Sequence, residues 1–70
     1  SIFSAMIARA LRSGQAEGTF DPAADAGALA FEIIAMMDGL QEHWLRWGET
    51  IDMAGIFETY INRLAARYSR

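Results

Sequence analysis

Cysteine and lysine are absent from these 70 residues, and histidine and proline occur once each. Without cysteine there is no disulfide to staple the chain, and one histidine cannot complete a metal site. No glycine-rich phosphate loop follows a strand, because no strand pattern exists. A cysteine nucleophile is excluded outright, and a lone His43 offers no credible Ser–His–Asp set. Asp38 and Glu42 stand four residues apart and share a neighbourhood on a helix. To act as an acid/base pair they would need burial to drive their pKa values apart, which the pattern does not supply. We therefore expect a non-enzymatic chain with no catalytic residues, no metal ligands and no cofactor.

Positive charge is also sparse. The net charge is −3, and the six basic residues are scattered: Arg9 and Arg12, then Arg46, then Arg63, Arg67 and Arg70. No face is basic enough to neutralise several phosphates, so this segment is not expected to touch nucleic acid itself. No apolar stretch approaches the roughly 18 uncharged residues of a membrane span, and no charged-then-apolar leader precedes a cleavage site. The expectation is a soluble, cytoplasmic chain with no membrane partner.

What the sequence has in quantity is apolar surface, at 53% of residues. A domain this small buries only about 60% of its unfolded surface, and burial then barely offsets the entropy of ordering. The middle segment, Asp21 to Trp47, carries the excess. Wound at about 100° per residue, it places Ala26, Leu29, Ala30, Ile33, Met36, Met37, Leu40, Trp44 and Trp47 on one face. A second sector holds Gly27, Phe31, Ile34, Asp38, Gln41 and Leu45. Only Ala28, Glu32, Ala35, Gly39, Glu42 and Arg46 face water. A helix covering one core shows a narrower stripe, so this one needs cover beyond its own chain, and a partner chain is the expected source.

Two shorter helical patterns flank it. The first runs from about Ile2 to Ala16, with Phe3, Met6, Ile7, Ala10 and Leu11 on its stripe. Ser1 or Ser4 is its candidate N-cap, and Gly18 is its candidate left-handed stop. Periodicity that begins almost at the first residue reads as a cut at the edge of a helix. In the break GTFDP, Asp21 is expected to cap the next helix and Pro22 to open it. Asp25 would add favourable charge near the helix's positive end, and Phe20 would pack back onto Ala24 or Leu29. At the second break Gly48 stops the long helix and Asp52 caps the third, with Ile51 and Ile56 spaced as a hydrophobic staple. The third helix, about Met53 to Tyr68, is expected to bury Met53, Ile56, Phe57, Tyr60, Ile61, Leu64 and Tyr68. Its polar side is Gly55, Glu58, Thr59, Asn62, Arg63 and Ala66. The short connection makes the last two helices an antiparallel hairpin. The fold class is all-α.

Several side chains admit two readings. His43 is a boundary histidine with a local partner, or a ligand-contacting, pH-responsive group. Trp44 and Trp47 are plain packing, or the wall of a cavity for an apolar or cationic compound. Met36 and Met37 suit an irregular core as well as an adaptable pocket. Asp38 lies in the second apolar sector, where a carboxylate needs a partner. Gly39 costs about 1 kcal/mol against alanine in mid-helix and gives room for close approach.

The order GQAEGTFDP, then AADAGALAFEIIAMMDGL, a short loop, capped Asp52 and a final helix ending NRLAARY resembles the C-terminal end of TetR-type transcriptional repressors. The likeness spans essentially all 70 residues, and its most specific piece is the G-x-F-x-P turn leading to Met37-Asp38-Gly39-Leu40. The resemblance implies that the last two helices pack against their copies as a four-helix bundle, making a homodimer with the two-fold contact common among small soluble chains. It also implies a small-molecule pocket in the regulatory domain and DNA binding through an N-terminal helix-turn-helix head. That head is absent from these residues, as are the earlier helices that would complete the pocket, so the chain reads as a fragment of a repressor. On this reading the dimer contact falls to Phe31, Ile34, Asp38, Leu45, Phe57, Ile61 and Leu64. A pocket wall falls to Met37, Leu40, His43, Trp44 and Trp47, facing a small apolar or cationic effector. The alternative is an unrelated helical homodimerisation module with no ligand.

Overall fold

The computed structural model describes residues 2–70. Among these the chain is all-α: α1 spans Ile2–Glu17, α2 spans Ala26–Trp47 and α3 spans Met53–Tyr68. A 3-10 turn, Gly48–Thr50, joins the last two. Of the two N-cap candidates for α1, Ser1 lies outside the described residues and Ser4 falls inside the helix.

The first break differs from the expectation. The long helix begins at Ala26, not Pro22, and its cap is Asp25, whose carboxylate accepts from the Ala28 amide at 3.1 Å. Asp21 instead builds the turn before it. Its side chain accepts from Ala23 at 2.9 Å and its carbonyl from Ala24 at 3.2 Å. Pro22 therefore occupies the second position of a turn, where its fixed φ is equally at home. Asp21 and Asp25 can both cap locally, and contacts far away in sequence select between them. The Gln15 amide donates to the carbonyls of Asp21 and Ala24 at 3.0 and 2.9 Å, holding the turn in place.

The other helix ends follow local chemistry. Gly18 and Gly48 carry positive φ, 83° and 62°, the conformation glycine adopts without steric cost. The Gly48 amide donates to Trp44 O, closing α2. Asp52 caps α3 by accepting from the Gly55 amide at 3.0 Å, and a Cβ at Gly55 would collide with that carboxylate.

Both flanking helices pack on α2 and, among the described residues, not on each other. The body is flattened, 40 × 25 × 13 Å. The residues buried are small or medium: Ala8 on α1, and Ala26, Leu29 and Ala30 on α2. The inward stripe of α1 is Ser4, Ile7, Ala8, Leu11, Gly14 and Gln15, turned from the expected one, so Phe3 and Met6 stand exposed. Short side chains on that stripe let the helices approach closely. Leu29 and Ile33 share a cleft with Ile61, Leu64 and Tyr68, while Met37 and Leu40 share another with Met53 and Phe57. Positions thus advance along α3 as they recede along α2.

The C-terminal tail is tied back to the first break. Asp21 N–H donates to Tyr68 O at 2.8 Å and Arg70 N–H to Thr19 O at 3.0 Å, an isolated bridge pairing Phe20 with Ser69. Arg70 also meets the Asp21 carboxylate at 3.1 Å.

Candidate interaction surface

Large apolar side chains stand exposed at one end of the molecule: Ile2, Phe3 and Met6 of α1, Met37, Trp44, Leu45 and Trp47 of α2, and Ile56 of α3. They surround the start of α1, the end of α2 and the start of α3. Phe31, 71% exposed, lies nearer the opposite end. Scattered apolar residues on a surface are ordinary, whereas a contiguous group signals an interaction site; Phe3, Met6 and Met37 are such a group, lining one groove.

Phe31, Asp38 and Leu45 recur at seven-residue intervals along α2, two helical turns apart, and all three are exposed. Leu45 is 78% exposed. With Ile34 and Gln41 between them, they have the spacing of a helix–helix seam with polar residues at two of its positions. Ile34 is half-buried and shares a groove of about 460 Å³ with Phe3, Met6, Ile7 and Met37. The remaining dimer candidates turn toward their own chain. Phe57 lines the cleft with Met37 and Leu40, and Ile61 and Leu64 line the one with Leu29 and Ile33.

Of the five pocket-wall candidates, Met37, Leu40 and His43 are divided among more than one groove, and Trp44 and Trp47 stand at the surface. Met37 and Leu40 share a cleft of about 140 Å³ with Phe57. Leu40 also meets His43 in a wider groove with Glu32, Ala35, Met36 and Gly39. His43 donates its Nδ1–H to Gly39 O at 2.9 Å, and its ring lies 5.2 Å from that of Trp47. The local partner expected for it is therefore present. Trp44 and Trp47 are 42% and 50% exposed. The Arg46 guanidinium sits 5.2 Å from the Trp47 ring and pairs with Glu42 at 3.1 Å. That exposed pair contributes little to stability.

One polar link escaped the periodicity. Tyr60 donates its hydroxyl to Glu32 Oε1 at 2.7 Å, joining α3 to a residue on the water-facing side of α2. Burial, and then the Glu32 carboxylate that takes this hydrogen bond and would repel a phenolate, push Tyr60 up to about 12. A partnership across 28 residues leaves no trace in a helical repeat. Among the described residues, no cluster of three His, Cys, Asp or Glu side chains could hold a metal ion, and no helix is long and apolar enough to cross a membrane.

These features define a three-helix, all-α chain with an uncovered apolar end. No protein-family model matches it, and neither a curated protein nor a solved structure does so at a significant level.

Proposed function

We propose that this chain is the dimer-forming, effector-contacting part of a TetR-type transcriptional regulator, cytoplasmic and homodimeric. Its DNA reading would belong to a helix-turn-helix head outside these 70 residues. The observation that carries the association is the uncovered apolar end together with the Phe31–Asp38–Leu45 ridge of α2. Covering one large apolar side chain gains about 1.5–3 kcal/mol, and a two-fold contact counts each residue twice. The hairpin of α2 and α3 would meet its copy through this ridge, with Ile34 beside it. Asp38, polar within the seam, would set its register at some cost in stability. The family assignment itself rests on the turn and helix pattern of the sequence.

The test is sedimentation across a concentration series, with helicity followed in parallel. The wild-type chain is expected to be a helical dimer that loses helicity as it dissociates. Phe31→Arg combined with Leu45→Arg should weaken association by about 100-fold or more, because hot-spot residues dominate such contacts. A helical wild-type monomer, or unchanged association in the double variant, rules the contact out.

The reading as an assembly module without ligand is favoured by one observation: Met37, Leu40, His43, Trp44 and Trp47 are not gathered into one enclosed space. Trp44 and Trp47 fluorescence separates the two readings. Saturable quenching by an apolar or cationic compound supports a sensor, and silence from the folded dimer supports assembly alone.

A further inference from the structure

At the end opposite the uncovered residues, all three helices contribute to a cavity of about 180 Å³. Leu11 enters it from α1, Leu29 and Ile33 from α2, and Ile61 and Leu64 from α3; Phe20 and Tyr68 complete it. The Phe20 and Tyr68 rings lie 5.6 Å apart and tilted by 31°. The lining is almost wholly apolar and the space is partly open to solvent.

Three properties bear on what such a space accepts. Its framework is pre-formed. The backbone bonds from Asp21 to Tyr68 and from Arg70 to Thr19 tie the aromatic pair together, and Gln15 clamps the turn that carries Phe20. A ligand then binds without first ordering the site. Its apolar lining offers few of the polar partners that hold an ordered water in place, so water there is readily displaced. Its volume of about 180 Å³, mouth included, is of the order of the roughly 150 Å³ of an enclosed Leu/Ile/Phe-lined cavity that takes up benzene. A charged group would be desolvated there without a compensating partner.

We propose that this cavity is a binding site for one compact, uncharged apolar group, of the size of a monocyclic aromatic ring or a short branched alkyl. The site is complete within one chain, so it stands independently of the dimer reading.

The test is titration of the full 70-residue chain with benzene, read by methyl NMR. Saturable shifts are expected at Leu29, Ile33, Ile61 and Leu64, with a rise in Tm that grows with benzene concentration. Benzylammonium, equal in ring size but charged, should move these methyls only at higher concentration than benzene does. Filling the space by Ile33→Phe should weaken benzene binding at least about tenfold, since side chain and ligand compete for one volume. Ala65→Leu adds volume from an exposed position on the rim and serves if the first variant loses helicity. The site is refuted if the four methyls do not respond up to the solubility of benzene. It is refuted equally if the shifts fall on the methyls of Met6, Ile7 and Met37 instead, or if helical Ala65→Leu binds benzene as tightly as wild type. A dimer without these methyl shifts overturns the cavity alone. Methyl shifts in a chain that sediments as a monomer overturn the dimer alone.

Discussion

The two ends of α2 are built from similarly apolar sequence and meet opposite fates. At the N-terminal end, Ala26, Leu29 and Ala30 are buried, with Ala8 on the helix opposite. The Gly14–Asp21 turn and the C-terminal tail are bonded across that end. At the C-terminal end, Trp44, Leu45 and Trp47 extend past the cover that α1 and α3 give, and stay exposed. Ala30 is 1% exposed although it has little apolar area to hide, whereas Leu45 is 78% exposed although it has much more. Burial in this chain follows the presence of a facing element, and hydrophobicity alone does not produce it. The small residues allow close approach, while the large ones at the C-terminal end of α2 have no facing element.

Removing matched side chains from the two ends probes this contrast most strongly. Leu29→Ala should cost about 2–5 kcal/mol in urea unfolding, because it opens a cavity in the buried contact. Leu45→Ala should change monomer stability by no more than about 0.5 kcal/mol while weakening self-association. Equal losses from the two in monomeric protein would break the comparison.

The glycines sharpen it at a smaller scale. Gly55→Ala sets a methyl against the Asp52 carboxylate, which must turn aside to keep the α3 cap, so the variant should gain less in thermal unfolding than the roughly 1 kcal/mol of alanine's helix preference. Gly39→Ala meets nothing within 4 Å and should gain up to about 1 kcal/mol. If Gly55→Ala stabilises as Gly39→Ala does, the cap is not holding the start of α3.

Between the ends, Tyr60 ties the middle of α2 to α3, and its contribution is read by pH. Its folded-state value is raised from 10.0 to about 12, so the folded chain holds the phenolic proton more tightly than the unfolded chain does. The corresponding stability is fully present below pH 10 and is lost as pH rises toward 12. Tyr60→Phe should flatten the fall of Tm over that window. An unchanged slope would show that burial and the Glu32 carboxylate do not hold the Tyr60 proton in the folded chain.

The smallest effect belongs to the tail. The Arg70–Asp21 pair is half exposed on the arginine side, so Arg70→Ala should cost less than about 1 kcal/mol, and less still at high salt. A larger, salt-independent loss would mean that the backbone bonds of the tail depend on the side-chain pair.

Helix boundaries were legible where one local signal stood without a rival, as it did not between Asp21 and Asp25. Gly48 stopping α2, Asp52 capping α3 and the span Met53 to Tyr68 each depend on atoms within a few residues, and the structure agrees with all three. The water-facing residues of α2, from Ala28 to Arg46, were also legible, because a helical repeat allots them to one side. The inward face of α1 was not. Counting apolar residues favours Phe3 and Met6, while close packing selects Ser4, Ala8 and Gly14, and the repeat weighs area without knowing the distance between helices. Of the candidate site, the exposed Phe31, Asp38 and Leu45 were visible as a second sector. The inward turn of Phe57, Ile61 and Leu64 depended on where α3 lies.

The sequence by itself determined an all-α chain of three helices, the stop at Gly48 and the cap at Asp52, and an apolar surplus with no staple to contain it. These follow from periodicity and from hydrogen bonds closed within one turn. Only the tertiary structure decided that Asp25 rather than Asp21 begins α2, that Glu32 receives Tyr60, and that Phe20 and Tyr68 close a cavity with the aliphatic residues of three helices. Each depends on groups brought together from distant parts of the chain, as Asp21 meets Arg70 across 49 residues, and such meetings are settled by packing after the helices have formed.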